Sequence, residues 1–101
     1  MEMYGLTDST IEKFKDLFRT FPEISEVILY GSRARGDNSN GSDIDLTFVG
    51  ENLNTDTLFR ISNEIDDLYL PYYVDVSIMK NIKNEALLKN IKAEGKVIYV
   101  R

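Results

Sequence analysis

The chain has 101 residues, of which 43% are hydrophobic, and carries a formal charge of −5 with neither cysteine nor histidine. That size suits one core, so residues 1–101 are expected to form one domain; a disulfide scaffold, thiolate chemistry, an imidazole base and a His-ligated zinc site are all excluded. Acid, base and metal work fall to Asp, Glu, Lys or Tyr, and the acidic balance speaks against broad contact with a nucleic-acid backbone but not against one nucleotide held through a cation.

Thr7 or Asp8 can cap a first helix whose apolar face is Ile11, Phe14, Leu17 and Phe18. Pro22 ends it, since proline cannot continue the hydrogen-bond ladder. Val27 to Tyr30 reads as a strand, broken at Gly31. Residues 32–42 read as a polar loop with a helical turn at Ser32 to Arg35. Ile44 to Val49 is a second strand with Ile44, Leu46 and Phe48 on one face and Asp43, Asp45 and Thr47 on the other. Leu58, Ile61, Ile65 and Leu68 predict a helix from Thr55 to Leu70, stopped by Pro71. Tyr72 to Met79 is a third strand, with Asp75 opposite in parity to Val74, Val76 and Ile78. Asn84 caps a last helix containing Leu87, Leu88 and Ile91; Gly95 stands in its C′ position, and Lys96 to Val100 is a final strand. Phe14, Phe18, Phe48 and Phe59 are assigned to the core. Tyr73, on the Asp75 side by parity, could border a ligand pocket or pack at an edge.

The order of elements indicates an α/β fold, a small mixed β-sheet packed with helices. The first two strands are joined by a loop too short for a full crossover helix and are expected to be antiparallel. The second and third are joined by a helix, which permits a parallel pair. No apolar run approaches the roughly 20 residues that span a bilayer, and Glu2 and Asp8 interrupt the start where a signal peptide would be apolar. A cytoplasmic protein without membrane contact is expected.

Two stretches carry chemistry. In Gly31-Ser32-Arg33-Ala34-Arg35-Gly36, the first glycine permits a sharp exit from the strand and close approach to a ligand. The following amides and the Ser32 hydroxyl can donate to phosphate oxygens, with Arg33 and Arg35 adding charge-assisted bonds. An ordinary tight turn with a solvated charge pair is the competing reading. The string is not a P-loop, because Asp37-Asn38 stands where Lys-Ser/Thr is required, and it lacks the middle glycine of the dinucleotide fingerprint. Asp43 and Asp45, two apart on a strand, share a face and could bind one cation or bridge two. Asp75 interrupts a strongly β-forming run, and if its strand neighbours theirs the three carboxylates converge. Three crowded aspartates repel one another unless a cation lies between them, which suits Mg²⁺. A calcium loop over Asp37 to Asp45 fails, since Ser39, Gly41 and Ser42 occupy its key places.

Gly31-Ser32, ten intervening residues, Asp43-x-Asp45 and the distant Asp75 together resemble the DNA polymerase β-like nucleotidyltransferase superfamily. The fuller string G-S-R-A-R-G-x(6)-S-D-I-D-L is similar to its small branch, the minimal nucleotidyltransferases (MNT) of MNT-HEPN toxin–antitoxin modules, and the resemblance runs from about Val27 through Val76. It implies that Gly31 and Ser32 hold the β- and γ-phosphates of an incoming nucleoside triphosphate, with Arg33 or Arg35 as a further phosphate contact. It implies that Asp43, Asp45 and Asp75 are catalytic and ligate two Mg²⁺ ions, Asp75 also helping to deprotonate the acceptor hydroxyl. It implies ATP as the substrate. It also implies a small helical HEPN-type ribonuclease as partner, AMPylated on a tyrosine so that the chain acts as antitoxin. The helical acceptor domain of larger relatives has no counterpart in these residues, so a partner protein or a second copy would complete the site. Two other readings follow from the same features: a non-catalytic antitoxin that keeps a vestigial nucleotide site, and an enzyme for a small-molecule acceptor completed by a second subunit.

Overall fold

The computed structural model describes residues 2–39 and 41–101, with only the backbone of Glu2; Met1, and Asn40 of the loop expected over 32–42, lie outside the described residues. The chain opens with a hairpin that the sequence did not announce, β1 (Glu2–Met3) and β2 (Leu6–Thr7), antiparallel. Its turn residues Tyr4 and Gly5 have φ of 58° and 73°, the positive values that a tight two-residue hairpin demands at both central positions. Strands of two residues offer no periodicity to read.

Helix α1 (Asp8–Arg19) follows, capped by Thr7, whose side chain accepts from the Thr10 amide at 3.2 Å. It buries Phe14, Leu17 and Phe18, the face read from the sequence. β3 (Glu26–Tyr30), the one-turn α2 (Ser32–Arg35) and β4 (Ile44–Val49) come next. They are followed by α3 (Thr55–Asp66), β5 (Val74–Ile78), a 3₁₀ turn at Met79–Asn81, α4 (Glu85–Glu94) and β6 (Lys96–Val100). Asn54 and Asn84 cap α3 and α4, accepting from the amides of Thr57 and Leu87 at 2.9 and 3.0 Å.

The main sheet runs β5-β4-β3-β6. β3 is antiparallel to β4 and to β6, and β4 is parallel to β5, with α3 as the crossover. The mixed sheet is therefore the one the connection lengths predict. Val27 and Leu29 stand opposite Phe48 and Leu46 and face α1 and α3. There Phe18 meets Phe48 and Tyr99 edge-on, with ring centroids 5.5 and 5.6 Å apart. Ile61 and Ile65 of α3 complete this core. α4 covers the other face over β3, where Gly95 lies against Ile28.

Four expectations change. α3 stops at Asp66 rather than Leu70. The amides of Leu68 and Tyr69 bond three residues back, to Ile65 and Asp66, and Tyr69 at φ 52° cannot continue a right-handed helix. The third strand is confined to 74–78. Gly95 is not left-handed (φ −63°, ψ 146°); glycine is needed there for room, since a Cβ would run into the Ile91 carbonyl and lie 2.8 Å from Ile28 Cγ2. Phe59 is 67% exposed, because one step round a helix from Leu58 turns it off the buried face. Among the described residues no helix is long and apolar enough to cross a membrane.

Candidate active site

β3 delivers the chain to Gly31, and two features fix that residue as glycine. Its φ is 80°, and a Cβ there would lie 2.5 Å from Asp45 Oδ2. The backbone that leads into Ser32 thus passes directly beside a carboxylate of the next strand. The turn α2 is closed by amides of Arg35, Gly36 and Asp37 bonding back to the carbonyls of Gly31 and Ser32 at 2.9–3.1 Å. Gly36, left-handed at φ 87°, ends it.

Register places the acids. In the parallel ladder Asp45 stands directly opposite Asp75, and in the antiparallel one it stands opposite Tyr30. Direct partners share a face, so Tyr30, Asp45 and Asp75 line one strip across β3, β4 and β5 at its sheet end nearest Gly31. Asp43 precedes β4 by one residue; it and Asp75 are exposed, while Asp45 is half-buried. Burial raises the Asp45 pKa above the ordinary carboxylate value, and the charges of Asp75 and then Asp43 raise it further. Asp45 therefore senses the charge of both other carboxylates. Among the described residues no three acidic side chains close a cation site on their own. Such an open set of hard oxygens could hold an ion that keeps water or phosphate as further ligands, as Mg²⁺ does.

Tyr30 is a site residue that the sequence reading passed over. Burial pushes its phenol pKa up, a hydrogen bond with Ser77 opposes this, and Asp75 and Asp45 push it up again. Its position one residue before Gly31 was visible, but its place opposite Asp45 depends on a register that no local pattern encodes.

The two arginines part company. Arg35 is exposed at the surface, its Nε 3.2 Å from Asp37 and 3.8 Å from Glu94. Arg33 is 1% exposed. Its Nε and Nη2 donate to the Ser42 carbonyl at 3.1 and 2.8 Å, and its Nη1 donates to the carbonyls of Tyr4 and Gly5 at 3.1 and 3.3 Å. Its guanidinium carbon lies 4.6 Å from the centre of the Tyr72 ring. Of the two arginines expected as a further phosphate contact, Arg33 is thus buried and engaged on the Ser42, Tyr4 and Gly5 carbonyls, and Arg35 is the exposed one. Tyr73 is 67% exposed beside Asp75.

A cavity of about 140 Å³ adjoins the loop, lined by Tyr30, Gly31 and Arg35 and, from α4, by Leu87, Asn90 and Glu94. A larger cavity, about 610 Å³, lies elsewhere, between α1 and β6, and is lined by none of the acids. The chemistry of the carboxylates, not cavity size, marks the site.

Residues 12–101 match the profile described as polymerase beta, nucleotidyltransferase. Comparison with curated protein sequences gives no match. Among solved structures, a chain of a toxin–antitoxin complex with AMP-PNP is similar at 19% identity and a TM-score of 0.72, over 90% of this chain and 73% of that one. A chain from a complex of the tri-AMPylated Shewanella oneidensis HEPN toxin with MNT antitoxin gives 17% and 0.68, over 92% and 71%. One from the toxin–antitoxin MntA-HepT gives 16% and 0.68, over 94% and 74%. At these identities the likeness is one of fold.

Proposed function

Since this chain belongs to the polymerase beta nucleotidyltransferase family, we propose that it transfers AMP from ATP to a hydroxyl of a HEPN-type partner, a tyrosine, and thereby acts as an antitoxin. The observation that carries this reading is the Asp45–Asp75 pairing beside Gly31, where a Cβ would come within 2.5 Å of Asp45. A turn that only glycine can make and a carboxylate strip meet at one point. The toxin–antitoxin complexes that share the fold, one with AMP-PNP and one with an AMPylated toxin, support the choice of nucleotide and partner.

In the transfer, the acceptor oxygen forms a bond to the α-phosphorus, the bond from that phosphorus to the bridging oxygen breaks, and pyrophosphate leaves. Ser32 and the amides after Gly31 bind the departing phosphates, and Arg35 adds charge by exchanging Asp37 and Glu94 for phosphate oxygen. Asp75, exposed at the sheet edge, would meet the incoming hydroxyl and take its proton. Asp43, Asp45 and Asp75 are the residues that would hold Mg²⁺, which fits their mutual repulsion and open arrangement. When bound, the metal neutralises charge on the attacking and leaving oxygens.

The test is transfer of label from α-³²P-ATP to a co-expressed helical neighbour in the presence of Mg²⁺. Label on the neighbour that disappears with Asp43→Asn/Asp45→Asn is the expected result. A protein that binds and silences its neighbour but labels nothing with any nucleoside triphosphate is instead a binding antitoxin.

A further inference from the structure

Arg33 has been placed inside the fold, and what it joins there gives it a part in the site. It follows Ser32 directly in α2. The carbonyl it grips with two nitrogens, at 2.8 and 3.1 Å, belongs to Ser42, the residue before Asp43. The ring under its flat face belongs to Tyr72, three residues before Asp75. Its remaining bonds fasten the turn of the N-terminal hairpin. The segments that carry Ser32, Asp43 and Asp75 thus meet on one side chain.

Resting on the nucleotidyl-transfer reading, we infer that Arg33 is a positioning residue that sets the distance between the phosphate-binding turn and the carboxylates, without touching the nucleotide itself. Between Gly36 and β4 the described backbone has no regular helix or strand to define its path. Asp43 is fixed from both flanks: the Ser42 carbonyl is held by Arg33, and the Ile44 amide bonds the Tyr73 carbonyl at 2.9 Å. Remove the first anchor and Asp43 swings on the second, while Ser32 keeps its own turn. The guanidinium suits this because it is a rigid planar fork with donors on both edges and a face that stacks; a lysine ammonium is one point on a flexible stem and cannot reach two segments while lying flat on a ring. Close approach confirms the tightness of the junction, since a Cβ on Gly5 would lie 2.8 Å from Arg33 Nη1 and 2.6 Å from Asn38 Nδ2.

The experiment is calorimetric titration of Mg·ATP into the wild type, Arg33→Lys, Tyr72→Leu and Arg35→Met, with ATP in EDTA as the metal-free arm and far-UV circular dichroism to count folded molecules. For Arg33→Lys the dissociation constant of Mg·ATP should rise roughly ten- to a hundredfold, the range seen when residues that orient metal ligands are removed. Metal-free ATP binding should hardly change. Tyr72→Leu should move the same constant in the same direction by a smaller factor, which keeps the test alive should Arg33→Lys not fold. Arg35→Met should weaken both arms alike, as a direct phosphate contact does. A merely structural Arg33 gives a different signature: fewer binding sites per chain at an unchanged dissociation constant. That result in the folded variants overturns the inference while leaving nucleotide transfer standing. If the wild type binds no Mg·ATP, the transfer reading fails first and this one with it.

Discussion

Ionised, Asp45 sits half-buried between two other carboxylates, and its raised pKa registers the cost. A carboxyl that holds its proton more tightly when folded favours folding fully below its ordinary pKa of 3.8 and loses that contribution as pH rises through the raised value. At neutral pH the metal-free protein therefore carries a penalty at this residue. Asp45→Asn, which cannot ionise, should melt roughly 2–5 °C above the wild type at pH 7 in EDTA, a gap of the size that relief of a strained functional group gives. The gap should close as the pH is lowered past the carboxylate range, and the variant should lose transfer activity. Millimolar Mg²⁺ should raise the wild-type melting temperature and leave that of Asp45→Asn in place, because a ligand of the folded state stabilises by mass action. Gly31→Ala tests the neighbouring backbone: φ 80° and a Cβ 2.5 Å from Asp45 should together cost about 1–3 kcal/mol and abolish nucleotide binding, read by denaturant melts and calorimetry.

At the scale of elements, periodicity and capping made most of the fold legible. α1, β3, β4, α4 and β6 fall where apolar spacing put them, Thr7 and Asn84 make the side-chain caps expected of them, and the structure adds Asn54 as the cap of α3. Asn54 accepts from both the amide and the hydroxyl of Thr57, so Asn54→Ala should cost about 1 kcal/mol, at the centre of measured cap losses, seen as a lower denaturation midpoint. Gly95→Ala should cost about 1–3 kcal/mol as an overpacking effect, although its φ would suit alanine; a melt of that variant decides between space and conformation as the reason for glycine. What spacing could not show was which arginine turns inward. Arg33 and Arg35 stand two apart in one turn, and nothing in their neighbours' identities tells that carbonyls from Tyr4, Gly5 and Ser42 converge on the first alone. For the same reason Tyr30 escaped notice: its partnership with Asp45 is a matter of register across a loop. The motif points to the carboxylates and the glycine because their chemistry is written in residue type; the supporting contacts are long-range and are not.

For the whole molecule, the sheet order has a consequence for endurance. β5 is an edge strand, laddered to β4 alone, and it brings Asp75 to the margin of the sheet. Edges fray at lower free energy than centres, and opening events there need not propagate. Amides of β5 should exchange with deuterium well before those of β3, which has a strand on either side. Heating should abolish transfer activity several degrees below the temperature at which circular dichroism reports loss of the fold, with full recovery on cooling from that interval. Under the proposed function, competence and architecture should then have separate thermal limits: a moderately warmed population would still be folded, and still able to occupy its partner, after it had ceased to modify it.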